Sequence, residues 1–244
     1  MSGKLAKAKL VELTTRDRIK HAAQQLIGEH GVDGVSVRDI VTVAGQKNMA
    51  SLYYYFHTKE ELIKELIVDA SELMEGRRAE ALAELEAVGD TPVVRDIIEI
   101  IIAGASLDPH EGGRNATVMR FLGAVVATHR HLYDDAIGNR YNHTYQRCLD
   151  LIRQCRPDIP SGILNQRLLF CSICSFNLLI AREGGVAAGG HAHRYWNAVG
   201  TSYNILDFLC GAVEAPVSPE AADAPDQDIA RRRHMVRHFT VLAS

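Results

Sequence analysis

Apolar residues along this 244-residue chain recur at helical rather than strand spacing. Ile19, Ala22, Ala23, Leu26 and Ile27 fall at i, i+3, i+4, i+7 and i+8, one stripe of a helix that starts near Thr15 and stops at Gly31. Ser36 can cap a second short helix over 37–44, with Val37, Ile40 and Val41 facing inward and Gly45 ending it. A third short helix is expected over 48–54. Thr58-Lys59-Glu60-Glu61 then reads as a capping box in which Thr58 caps and Glu61 reaches back. The helix it opens meets no proline from Lys59 to about Ala87 and extends roughly 40 Å.

Further on, Thr91-Pro92 reads as cap and first helical position of a helix running through Ile97, Ile100 and Ile101 to Leu107. DPHEGG (108–113) is a loop. Helices are expected over 114–128, 131–155, 160–183 and 192–212, with REGGVAAGGH (182–191) connecting the last two. Residues 214–230 hold three prolines and five acids with no base, the composition of a linker, and 231–244 can close with a short amphipathic helix through Val236 and Phe239. The expected fold class is all-α: a three-helix head (1–60), a larger helical body (61–213) and a tail (214–244).

The net charge of −3 hides an asymmetry. Residues 1–60 carry nine Lys/Arg against six Asp/Glu, and the rest carries 18 against 24, so a basic start precedes a mildly acidic body. A reader of nucleic acid with a separate second module needs that distribution, and so does a merely solvated tail. The longest charge-free apolar stretch, 168–181, is 14 residues, short of the about 20 that cross a bilayer, so no membrane crossing is expected. The start shows no apolar core followed by a cleavage site, and the five cysteines are irregularly spaced. A cytoplasmic, reducing setting fits both.

The two short helices around Gly45 form a helix-turn-helix candidate, with Leu26, Val37, Ile40, Ala44, Leu52 and Phe56 as its inner face. Base edges demand small polar or amide side chains at the start of the second helix, and phosphates demand tyrosines and cations around it. Lys47, Asn48, Met49, Ser51, Tyr53, Tyr54, Tyr55, His57 and Lys59 supply those chemistries in order. One of Tyr53–Tyr55 packs beside Phe56, Tyr55 being favoured, while Tyr53 faces the groove. Other constellations are bland. Cys171-x-x-Cys174 lacks a second pair, the histidine pairs lack a third ligand, and GGVAAGG (184–190) lacks the Lys-Ser/Thr of a phosphate loop. No metal, cofactor or catalytic set is expected.

Residues 15–62 resemble the DNA-binding head of the TetR family of bacterial repressors. The likeness rests on the Ile-x-x-Ala-Ala-x-x-Leu stripe, the Gly31–Ser36 turn, Val37-x-x-Ile40, Ala44-Gly45, Leu52-Tyr53-x-x-Phe56 and Lys59-Glu60-x-Leu62. Six residues, Gln46 to Ser51, separate Ala44-Gly45 from Leu52-Tyr53, one more than the commoner family pattern. That looks like the variant subgroup reading Ala-Gly-Gln-Arg/Lys-Asn. The resemblance implies a homodimer on a near-palindromic double-stranded operator, usually a repressor released when a small molecule fills the C-terminal bundle. It gives phosphate contacts to Arg38, Tyr53, Tyr54 and Lys59, with Arg38 also near base edges, adds Ser36 to the DNA-binding candidates, and makes Lys47, Asn48 and Met49 the start of the reading helix.

The resemblance also places a dimer interface on the last two large helices. Cys171, Ser175, Leu178, Trp196, Val199 and Tyr203 are its candidates, with plain intramolecular core as the alternative. A cavity for a largely apolar effector could be lined by Met74, Arg78, Ile101, Met119, Leu122, His129, Tyr141 and Tyr145, since apolar walls with a few polar handles suit small molecules. The rival reading is a DNA-organising protein whose body binds a protein partner instead.

Overall fold

A computed structural model describes residues 13–89, 91–105, 116–138, 140–189, 194–196, 198 and 200–222. It is all-helical. In chain order the helices are α1 (Thr15–His30), α2 (Val37–Val43), α3 (Ala50–Phe56), α4 (Lys59–Val88), α5 (Val94–Ala105), α6 (Val118–Thr128), α7 (Arg130–Ile137), α8 (His143–Cys155), α9 (Ser161–Ala188), α10 (Thr201–Glu214) and α11 (Pro219–Ala222). The chain divides into two compact units, 1–72 with 107–139 and 73–106 with 140–244.

The first unit is built on the apolar stripe of α1. Ile19, Ala22, Ala23 and Ile27 are buried together with Ile40, Val41, Ala44, Leu52, Phe56, Leu62, Leu66 and Phe121. Leu26 and Val37, expected inside, are half-buried. This unit also takes in α6 and α7. At Gly28 a Cβ would stand 3.3 Å from the Phe121 backbone nitrogen, so the glycine lets α6 lie close against α1. Gln24 adds a buried hydrogen bond to the Thr117 hydroxyl at 3.0 Å.

The second unit packs α5, α8, α9, α10 and the later part of α4 around Leu82, Ile97, Ile98, Tyr145, Cys148, Leu149, Ile152, Leu164, Leu168, Leu206, Leu209 and Val213. Arg95 bridges α5 to Asp207 on α10 at 2.6 Å. Arg167 donates to the carbonyls of Val213 and Ala215 at 2.9 and 2.6 Å, capping the C-terminus of α10.

Several boundaries differ from the sequence reading. α3 begins at Ala50, and the Asn48 side-chain oxygen accepts the Ala50 N–H just ahead of it. α5 begins at Val94, with the Val93 N–H held by the Asp96 carboxylate, so Thr91-Pro92 precede the helix. The expected helix 131–155 is two, α7 and α8, broken at Gly138 with φ 53°. α9 continues to Ala188 through the Gly-Gly pair expected to be a connection. A Cβ at Gly185 would collide with the Trp196 indole, so the glycine is there for close packing. Trp196 itself lies in a turn, and the last large helix begins only at Thr201. The expected loop 108–113 and closing helix 231–244 lie outside the described residues.

By length and composition α9 could cross a membrane, which the 14-residue reading did not anticipate: an 18-residue window averages a hydropathy of 1.5. Its buried side chains join the core of the second unit. Only 22% of that window is fully buried, and most of the other residues of the helix are half-buried.

Candidate nucleic-acid interface and interior cavity

The turn between α2 and α3 is fixed by local hydrogen bonds. Ser36 and Asp39 form a reciprocal capping box at the start of α2: the Asp39 N–H donates to Ser36 Oγ at 3.2 Å and the Ser36 N–H to the Asp39 carboxylate at 2.9 Å. The Ser36 hydroxyl also donates to that carboxylate at 2.6 Å, and these bonds hold the Asp39 pKa below its ordinary value. Ser36 is therefore occupied in capping. At the far end, Gly45 adopts φ 69° and the Gln46 N–H returns to the Val41 carbonyl at 2.8 Å. Only a residue without Cβ takes that backbone freely.

This turn presents α3 with Leu52 and Phe56 buried and its other side in solvent. Tyr53 is 48% exposed, Tyr54 79% and Tyr55 36%, the last stacked edge-on against Tyr54 and tilted over Phe56. Tyr55 is thus the most enclosed of the three. Arg38, Lys47, Asn48 and Met49 are exposed, and Ser51 is half-buried. His57 closes α3 with φ 61°, rare for a residue carrying a Cβ, its N–H bonded to the Tyr53 carbonyl at 3.0 Å.

Two cations of the basic start turn inward instead. The Lys59 ammonium donates to the carbonyls of Val32 and Val35, 2.6 Å each, stapling the α1–α2 loop to the start of α4. Lys20 is 5% exposed and pairs with Glu65 and with Asp69, the latter at 2.8 Å. Arg16 joins Glu65 at 2.5 Å and lies over the Phe56 ring. The sequence offered no sign of this, because the carboxylates stand 49 positions away on α4.

The second unit holds a narrow, partly open void of about 30 Å³ between α5, α8, α9 and α10, walled by Ile98, Ile101, Ile102, Tyr145, Leu168, Cys171, Ser172 and Ser175 among others. Ile101 and Tyr145 line it as expected for a cavity. Cys171 and Ser175, given to a dimer interface, line it too. The Tyr145 hydroxyl bonds to Ser172, and the Arg78 guanidinium lies 5.4 Å from the Tyr145 ring centre. Burial pushes the Tyr145 pKa up and raises the Cys148 and Cys171 thiols to about 11. Beside the void runs a groove of about 250 Å³ lined by Glu99, Ile102, Leu179, Arg182, Ser202, Tyr203 and Leu206. Ile102 stands in the wall of both.

Met74 and Arg78 are buried and Tyr141 half-buried in the second unit, none of them among the residues walling the void. Met119, Leu122 and His129 belong to the first unit, where Met119 and Leu122 are core and His129 faces Asp33 at 3.3 Å. Leu178 and Trp196 pack partly buried against the second core, Tyr203 is 64% exposed, and Val199 lies outside the described residues.

Residues 19–66, which span α1 to the first turns of α4, match the family model for bacterial regulatory proteins of the tetR family. The likeness to that family lies in these N-terminal helices. Among curated proteins none matches the chain. Two solved structures are similar to it. One is the TetR family transcriptional regulator PfmR from Thermus thermophilus, 16% identical over 84% of this chain and 99% of that one, with a TM-score of 0.45. The other, from Rhodococcus sp., is assigned as a TetR-family transcriptional regulator and is 17% identical over 82% and 96%, with a TM-score of 0.44. The assignment of the head rests on the family model and the geometry above.

Proposed function

We propose that this protein is a transcriptional regulator that binds a near-palindromic duplex as a homodimer and is released from it by a largely apolar small molecule. The observation that carries the reading is the match of residues 19–66 laid over a helix-turn-helix. Its solvent face holds Arg38, Lys47, Asn48, Met49, Tyr53 and Tyr54. Tyrosine hydroxyls and cations around α3 suit phosphates, and α3 itself suits a major groove. Exposed Phe170 on α9, 57% accessible, together with Tyr203 and Phe208 on α10, suits a second copy of the chain. The effector would enter by the groove beside Ile102, since the void alone is too small for it.

The test is selection of duplexes from the source genome by the full-length protein, then titration of the best fragment over a salt series. A palindromic winner, half-sites about 34–36 Å apart, with steep salt dependence is expected. Enrichment of nothing above background would refute the reading. The narrow void favours a second reading, a DNA-organising protein whose body binds a protein partner. A specific site that no small molecule releases would decide for it.

A further inference from the structure

The exposed face of α3 lacks the usual equipment for reading bases. Not one of its seven residues, Ala50–Phe56, is Arg, Lys, Asn, Gln, Asp or Glu, the side chains that pair with guanine, adenine or cytosine edges. The nearest amide is Asn48, and it is already engaged. Its Oδ1 accepts the Ala50 N–H at 2.9 Å, while its main-chain carbonyl accepts the Ser51 N–H at 3.1 Å. A backbone N–H can be received only by the amide oxygen, so the donor fixes which way this amide points. Adenine recognition by asparagine needs that same oxygen to accept from N6 while the NH₂ donates to N7. With Oδ1 on the Ala50 N–H, the start of α3 sets the orientation of this amide, and only its second lone pair and its NH₂ remain for another partner.

What the face offers in its place is apolar. Met49 is 47% exposed and Ala50 beside it is exposed too. A thioether chain and a methyl group have one partner in a major groove, the C5-methyl of thymine. We propose that this head recognises its duplex by thymine methyl groups packed on Met49 and Ala50, and that Asn48 is a positioning residue that sets where α3 begins. Arg38 and Lys47, both exposed, supply cations for the phosphates on either side. The proposal rests on the reading of the head as DNA-binding.

The experiment uses the full-length protein and duplexes selected from a randomised library, resynthesised with deoxyuridine replacing each thymidine in turn. Deoxyuridine removes the methyl group and nothing else. At one or two positions per half-site the affinity should fall about fourfold, the worth of one buried methyl. Met49→Ala should abolish that sensitivity. Asn48→Ala should weaken binding to all duplexes alike, and Asn48→Ser, which still caps, should restore it with base preference unchanged. Deoxyuridine silent at every position would overturn the proposal. So would an Asn48→Ala variant that loses preference at a single adenine. A library from which no sequence is enriched would instead sink the DNA-binding reading beneath it.

Discussion

Lys20 separates a cation that belongs to the fold from one that belongs to a ligand. Its ammonium is nearly sealed from solvent, bonded to Glu65 and Asp69, whose side chains are 28% and 35% exposed. Removing one partner of a fully buried pair costs about 3–5 kcal/mol. Here water can reach the carboxylates, and Glu65 keeps Arg16, so Lys20→Met should cost about 2 kcal/mol. That is a fall in melting temperature of roughly 4–8 °C for a chain of this size, read by urea and thermal denaturation. The same variant should leave the salt dependence of duplex binding untouched, because this charge already has its counter-ions within the protein. Arg38→Ala should do the reverse, with stability unchanged and a slope of log K against log salt shallower by about 0.9. A Lys20→Met protein that melts as wild type does but binds with a shallower slope would refute the assignment.

Gly185→Ala should force the indole of Trp196 aside at a cost of about 1–3 kcal/mol. Trp196 is the single tryptophan, so a red shift of intrinsic emission reports it directly, and unchanged emission would show that the contact is loose. Asp39 has a lowered pKa, so its contribution to stability is present above the ordinary carboxylate range and is lost as pH falls through the depressed value. Amide exchange at the start of α2 should speed up there in the wild type, and Asp39→Asn should remove that dependence. The Cys148 and Cys171 thiols, raised to about 11, stay protonated at neutral pH. They should resist alkylation at pH 8 until urea unfolds the chain, and their contribution to stability should be lost as pH rises from about 9 to about 11.

How far the chain could be read in advance varied with the range of the interactions. The stripe Ile19, Ala22, Ala23 and Ile27 became part of the core of the head, the Ser36 cap formed, and Thr58 accepts the Glu61 N–H, the Thr58 N–H going to the Phe56 carbonyl. Each of those depends on neighbours within four residues. The split at Gly138 and the continuation of α9 through Gly184-Gly185 were not legible. A glycine ends a helix where its φ turns positive and stays within one where a distant ring must come close, and the residue type is the same in both cases. The dimer and cavity candidates scattered for a related reason: Met119 and Ile101 look alike in sequence, yet they belong to different units.

Local periodicity and capping chemistry, carried by the sequence itself, determined the helical class and the head with its two short helices. Only the tertiary structure decided where the charges went. Lys59 was expected at a phosphate like Arg38, yet its ammonium reaches the carbonyls of Val32 and Val35, and Lys20, one cation of the basic start, is held by Glu65 and Asp69. A cation is drawn to whichever oxygens the fold brings within reach, and sequence proximity does not reveal which those are.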